Sequence, residues 1–295
     1  MNIILNLVFG VLLVSCGGSG KIHSDEKTIA VIATKETVQS VNKTTKPVSI
    51  SKDTSEIVGA PKTSTIKIKA KTEEETPKIL VLDHSTWNDL LKKFVDDDGN
   101  VDYAGFKKDV ASLEAYLKLL SQNAPSATWS KNEKLAFYIN LYNAATVKLI
   151  VDNYPIKSIK DIPNRWKKEW ISINEKVTSL NDIEHKILRK MNEPRIHFAI
   201  NCASYSCPKL LNSAFTEQNL ERLLSKATID FVNDKKRNRF ENGTAQLSKI
   251  FRWYKNDFTS NTSLLEYINT YLDNPTSKDA KVEYLDYDWS LNEAK

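Results

Sequence analysis

Between Arg195 and Pro208 the chain places His197, Cys202 and Cys207, which are one of its four histidines and two of its three cysteines. A thiol with an imidazole is the raw material of nucleophilic catalysis. The imidazole takes the proton, the thiolate attacks a carbonyl carbon, and a third polar group holds the imidazole in place. Cys202 is the candidate nucleophile, His185 and His197 are the candidate bases, and Glu184 is the candidate orienting group. Asn201, directly before Cys202, is a supporting candidate.

Glu184 earns its place by position. Ser179 and Asp182 form a variant capping box that opens a helix running through Met191. Its buried stripe is Leu180, Ile183, Ile187, Leu188 and Met191, and at 100° per residue Glu184 falls inside that stripe while His185 lies on its flank. A carboxylate there must find a partner or keep its proton. The alternative to a site role is a structural pair with a basic residue such as Arg195.

From Arg195 onward, alternation and β-branching predict a strand, with Ile196, Phe198 and Ile200 on one face and His197, Ala199 and Asn201 on the other. An ideal strand turns His197 away from Cys202 and sets it roughly 16 Å along the chain. A strand ending at Asn201 would let Cys202 turn back, so both histidines stand. Two further readings compete with the nucleophile. Cys202 and Cys207 are close enough in sequence for a disulfide, which an oxidising compartment would permit. His185, His197, Cys202 and Cys207 also make four zinc-compatible ligands, although so loose a spacing is a weak metal signal. No cofactor is implied.

The elements that must position these groups are mostly helical. A helix is predicted after Ser85-Thr86 on the spacing of Trp87, Leu90, Leu91, Phe94 and Val95. The acidic run after it, Asp96 to Asn100, lacks the Gly and Glu an EF-hand needs at its sixth and twelfth positions and reads as a turn. Leu113, Tyr116, Leu117 and Leu120 mark a second helix. A third, from about Lys131 to Asn153, is apolar almost all round and so belongs inside the domain. Its Asn140 and Asn143 share a face and must find partners there, either by tying down neighbouring backbone or by supporting the site. Ile171 to Ile173 reads as a short strand, Glu217 to about Asn233 and Leu264 to Leu272 as helices, and Val282 to Leu285 as a terminal strand. The fold class is α+β, a mostly helical single domain with a few short strands.

Of the 27 aromatic residues, 26 fall between Trp87 and Trp289, which assigns one core to residues 79–295. Residues 17–78 are rich in Thr, Ser and Lys and hold 11 Lys against 8 acidic residues, so they carry +3 of the net charge of +5. They read as a disordered tether. The remaining +2 leaves the domain little net positive charge, and the Lys235 to Arg239 run has no aromatics interleaved within it and reads as a solvated helix end, so no nucleic-acid partner is expected.

Residues 1–16 form an apolar block ending in Leu13-Val14-Ser15-Cys16, too short to span a bilayer. This resembles the lipobox of bacterial lipoproteins. The resemblance implies a cleaved signal peptide, an acylated Cys16 as the new N-terminus and membrane attachment through the lipid. Gly17 in place of Asp favours the outer over the inner membrane. The expected partners are the membrane and an unknown envelope substrate or protein.

Four segments in order, Ala136-Phe137-Tyr138-Ile139-Asn140-Leu141-Tyr142-Asn143-Ala144, Ile183-Glu184-His185, His197 through Pro208, and Trp253-Tyr254-Lys255-Asn256-Asp257-Phe258, resemble the uncharacterised family called domain of unknown function 547. The likeness covers most of residues 87–292, and the ending Tyr287 to Asn292 fits its envelope-attached members. It implies a relationship to papain-like and transglutaminase-like cysteine hydrolases. Those enzymes carry the nucleophile at the start of the buried helix, where this chain offers Asn140 and Asn143, so the nucleophile must come from the later loop. A cysteine hydrolase acting on amide or ester bonds, a non-catalytic envelope module with a Cys202–Cys207 bond, and a zinc-binding domain all remain open at this point.

Overall fold

The computed structural model describes residues 82–294. The signal segment with Cys16 and the tether lie outside the described residues. Helices dominate, and two small sheets accompany them. Among the described residues no helix is long and apolar enough to cross a membrane.

Helix α1 (Ser85–Phe94) buries Trp87, Leu90, Leu91 and Phe94, the face its spacing predicts. The acidic run after it is a turn closed on itself. The Asp96 carboxylate accepts the N–H groups of Asp98 and Asn100 at 2.9 and 2.8 Å, and a Val95–Val101 bridge closes its base. Gly99 takes φ +80° there, and a Cβ would come within 2.7 Å of Lys209 Cβ, so only glycine fits. Helices α2 (Tyr103–Lys108) and α3 (Val110–Gln122) follow, and Leu113, Tyr116 and Leu120 of α3 face the core.

Helix α4 (Lys131–Asn153) is the axis of the domain. Ser130 and Glu133 cap it reciprocally, and fifteen of its 23 residues are buried. Helices α2 and α3 and the helix that carries Glu184 pack on it. Strands β1 (Ile171–Ile173) and β2 (Lys176–Thr178) form an antiparallel hairpin beside α3.

The helix expected from Ser179 begins as predicted, with the Ser179 hydroxyl accepting the Asp182 N–H at 3.1 Å. It then changes pitch: α5 (Leu180–Asp182) runs into a π-helical turn over Ile183–Ile187 and a 3₁₀ turn over Leu188–Met191. A π turn holds one residue more per hydrogen bond and so rotates the side chains after it relative to a regular helix. Asn192, at φ 51°, ends the run in the left-handed region.

The strand expected from Arg195 is instead α6 (Ile196–Ala199), a single helical turn. Ile196, His197, Phe198 and Ala199 are all buried, because core packs on every side of the turn. Segments enclosed on all sides lose the one-sided pattern from which a period can be read. Helix α7 (Leu220–Asn233) starts three residues later than expected. Thr216 and Asn219 exchange side-chain bonds with each other's N–H groups at 2.8 and 3.3 Å and hold that stretch as a turn.

Strands β3 (Arg239–Glu241), β4 (Thr244–Leu247) and β5 (Lys281–Tyr284) make a sheet in which β3 pairs antiparallel and β5 parallel with the central β4. Between β4 and β5 lie α8 (Lys249–Trp253), α9 (Lys255–Phe258) and α10 (Leu264–Asn269). Helix α10 ends short of Leu272, where the Asn269 side chain exchanges two bonds with the Thr276 backbone at 2.8 and 2.9 Å. Two hydrophobic clusters result: a large one around α4, and a smaller one built on Phe198, Phe231, Phe251 and Phe258. The Cys202 loop follows the α6 turn that joins them.

Candidate active site

The loop that carries Cys202 is held by asparagine amides. Asn143 of α4 donates from Nδ2 to the Ala199 carbonyl at 2.9 Å and accepts the Asn201 N–H on Oδ1 at 2.8 Å. Asn140, one turn earlier, does the same for Phe215, donating to its carbonyl at 2.7 Å and accepting its N–H at 3.0 Å. Asn201 then folds its own loop, with its Oδ1 taking the Ala203 N–H and its Nδ2 giving to the Pro208 carbonyl, both at 2.7 Å. All three side chains are buried. Backbone groups that would lack partners inside the domain are thereby satisfied. Ala203 takes φ 58°, a left-handed turn that the Asn201 bond supports.

A second hold comes from the C-terminal segment. The Tyr205 N–H donates to the Ser290 carbonyl at 2.7 Å and the Ser206 N–H to that of Asp288 at 3.1 Å. This zipper brings the Tyr287 hydroxyl to 3.3 Å from Cys202 Sγ and 2.9 Å from Ser204 Oγ, while Ser204 Oγ itself lies 3.0 Å from Cys202 Sγ. The Cys202 N–H donates to Cys207 Sγ at 3.0 Å. Ser204 and Tyr287 were not singled out from sequence. The ending Tyr287 to Asn292, part of the family resemblance, was the available signal.

These contacts set the charge of the thiol. The Cys207 thiol, followed by the Ser204 and Tyr287 hydroxyls, stabilises the Cys202 thiolate against the cost of burial and brings the pKa down to about 7. Burial pushes the Cys207 thiol and the Tyr287 phenol up, so both keep their protons and remain donors. Of the two thiols, Cys202 is the one that ionises first, and Cys207 keeps its proton. Both are free thiols, and the disulfide considered from sequence is not formed.

Glu184 is buried, as its place in the apolar stripe predicts, but its partners are not basic. It accepts from the Tyr142 hydroxyl at 3.2 Å and the Tyr254 hydroxyl at 2.5 Å. Arg195 pairs elsewhere, with Glu193 at 2.6 Å and Glu221 at 2.9 Å, which corrects the expected Glu184–Arg195 pair. His185 Nε2 stands 3.9 Å from Glu184, beyond hydrogen-bond reach, so Glu184 does not orient that ring. The contact fixing His185 is from Arg189, which donates to Nδ1 at 2.9 Å. A guanidinium can only donate, so Nδ1 carries the lone pair and Nε2 the proton.

His197 has the orienting partner that sequence assigned to Glu184. Asp257, which sequence reasoning passed over although it lies in one of the resembling segments, accepts from His197 Nε2 at 2.8 Å and holds Arg189 through two bonds at 2.6 and 2.7 Å. The ring stacks on Tyr254 with centroids 3.9 Å apart. Burial lowers the His197 pKa, so the imidazole is neutral and its Nδ1 lone pair, buried, has no hydrogen-bond partner. His197 sits on the α6 turn, so the strand geometry that would face it away from Cys202 is absent. Neither His185 nor His197 hydrogen-bonds to Cys202.

One cavity of about 290 Å³ collects these groups: Glu184, His185, His197, Cys202 and Cys207 all line it, between aromatic walls. Asn140, Asn143 and Asn201 stand behind it as supports. Among the described residues no three His, Cys, Asp or Glu side chains are grouped as a metal ion requires. The four residues of the zinc reading are therefore neighbours of the cavity rather than a ligand set, with His185 committed to Arg189 and His197 to Asp257.

Substitution Asn143→Ala removes both partners of the Ala199 carbonyl and the Asn201 N–H. Urea unfolding should show a loss of roughly 2–4 kcal/mol, since each buried backbone group left unpaired costs about 1–3 kcal/mol. A loss under about 0.5 kcal/mol would mean that water replaces the clamp.

The family model described as "Protein of unknown function, DUF547" matches residues 126–232. No curated protein and no solved structure matches the chain. The matched segment runs from before α4 to the end of α7 and contains the three asparagines, Glu184, both candidate histidines and both loop cysteines, whereas Tyr254, Asp257 and Tyr287 lie beyond it. Over residues 126–232 this chain is similar to the DUF547 family.

Proposed function

We propose that the domain is a cysteine-dependent hydrolase of ester or amide bonds, presented at the cell envelope by a lipid anchor. The observation that carries the reading is the Cys202 thiol on the wall of an aromatic cavity, ionising at about 7 with the Ser204 and Tyr287 hydroxyls against it. A thiolate formed near neutrality needs no base to generate it at the moment of attack. Cys202 Sγ adds to the carbonyl carbon, an S–C bond forms, the C–O or C–N bond breaks, and the leaving group departs with a proton from solvent. Water then adds to the thioester and gives a proton to His197 Nδ1, releasing the acid and the thiolate. Asp257 holds the His197 tautomer in which Nδ1 is free to accept. The Ser204 and Tyr287 hydroxyls stabilise the thiolate at rest and again as it leaves.

The anchoring part rests on the apolar block ending in Leu13-Val14-Ser15-Cys16 and on the long tether of residues 17–78. Acyl chains on Cys16 would hold the chain stably at a membrane, the outer one on the identity of Gly17.

Three experiments test these readings. The rate of Cys202 alkylation by iodoacetamide should rise with pH through a midpoint near 7 and level off above it, while buried Cys207 stays unlabelled in the folded chain. In parallel, Cys202→Ser should cut turnover of a p-nitrophenyl ester at least ~10³-fold without unfolding the domain. A midpoint above 8.5, or undiminished turnover in the serine variant, would falsify the hydrolase reading. For the anchor, Cys16→Ala should move the chain from the membrane to the soluble fraction. Retention at the membrane by the variant rules out lipid attachment at Cys16.

A further inference from the structure

We infer that the cavity beside Cys202 binds an organic cation, so that the substrate is an acyl compound carrying an ammonium group near the scissile carbonyl. This rests on the reading of that cavity as the place where Cys202 reacts, and it specifies what enters it.

The walls are aromatic: Trp166, Trp253, Tyr254, Tyr287 and Trp289 all line the space. Trp253, Tyr287 and Trp289 pack against one another with centroids 4.5 to 5.7 Å apart and form a continuous side. Indole and phenol rings present negative faces, and several converging on one space attract an ammonium or quaternary ammonium group.

The charge inside has the matching sign. No Lys or Arg lines the cavity, whereas Glu184, 7% exposed, does. Its hydrogen bonds come from two phenols, and the basic group that comes within 4 Å of it is the His185 ring, at 3.9 Å. That ring accepts the Arg189 N–H on Nδ1 and makes no hydrogen bond to Glu184. Arg189 lies 5.4 Å over Tyr254, but Asp257 pairs it through two bonds. Glu184 is thus a buried carboxylate that makes no ion pair with Arg189 and feels that charge only at a distance, the guanidinium being paired with Asp257, and a bound cation would complete its compensation. The Cys202 thiolate adds a second negative centre above neutral pH.

A neutral sugar, the other ligand that flat aromatic walls suit, needs several free hydrogen-bonding side chains around its hydroxyls. Here both Glu184 oxygens already accept from tyrosines and Asn181 donates to Asp182 at 3.2 Å, which leaves the two imidazoles with one uncommitted nitrogen each, Nε2 of His185 and the buried Nδ1 of His197, too few for a sugar's hydroxyls.

The test is a titration of the full chain, followed by tryptophan fluorescence, with choline, with its uncharged isostere 3,3-dimethyl-1-butanol and with methyl glucoside as probes. Choline should bind saturably and at least tenfold more tightly than the isostere. Glu184→Gln should weaken choline about tenfold and leave the isostere unchanged. Trp253 is 45% exposed, so Trp253→Leu should fold and weaken choline as well, which keeps the test decisive if the glutamine variant unfolds. Equal binding of choline and the isostere, or binding of methyl glucoside without choline, overturns the assignment. No acyl transfer enters the titration. A chain that hydrolyses esters without preferring choline loses the cation site alone, and one that prefers choline with an unreactive Cys202 keeps it.

Discussion

A buried carbonyl at Ala199 and a buried N–H at Asn201 would each cost about 1–3 kcal/mol if left unpaired, and one side chain, Asn143, meets both. Much of the site's geometry depends on that exchange. It fastens the exit of the α6 turn to the central helix, so the backbone enters Cys202 from a fixed point. Asn201 repeats the device inside the loop, and Asn140 repeats it one helical turn away on Phe215. A helix as deeply buried as α4 has little freedom to shift, and its amides pass that rigidity to a loop with no regular structure of its own. Loops that carry chemistry on a rigid scaffold are a common solution, and here the connection is made by side-chain amides instead of a sheet.

The polar groups around the cavity divide into two sets with different tasks. On one side the Cys202 thiolate is surrounded by donors, namely the Cys207 thiol and the Ser204 and Tyr287 hydroxyls, which favour its ionised form. On the other, Asp257 joins Arg189 and His197 in a connected pair of contacts that fixes both tautomer and orientation of the imidazole. Burial keeps that imidazole neutral, and Tyr254 connects it to Glu184 by stacking on His197 while donating to the carboxylate. The C-terminal segment forms part of the cavity wall. It supplies Tyr287 and Trp289 and is zipped to the backbone of the Cys202 loop.

Much of the fold was legible in the sequence, because long amphipathic or uniformly apolar helices leave a clear pattern. The bounds of α4, the buried face of α1 and the burial of Glu184 and Asn143 all follow from spacing. The expectation that the two asparagines tie down backbone also holds. The turn at α6 was not legible: four residues buried on every side carry neither a period of 3.6 nor a reliable period of 2, and His197-Phe198-Ala199 mimics an alternating strand. The partners of the site residues were hidden for another reason. Asp257 meets His197, and Tyr287 meets Cys202, across separations of 60 and 85 residues. Nothing local in a sequence announces such a contact. The pitch change at Ile183–Ile187 was likewise invisible, since a π turn leaves the composition of a helix unaltered.

The central claim is that Cys202 forms a covalent acyl intermediate in this cavity. It is tested most directly by acid-quenching the full chain within the first turnover of an activated ester and mapping the added acyl mass by peptide mass spectrometry. The account predicts a single acyl group, as a thioester on Cys202, that disappears with time when the ester is exhausted. Acylation spread over surface lysines with Cys202 unmodified, or no adduct during turnover, would contradict it.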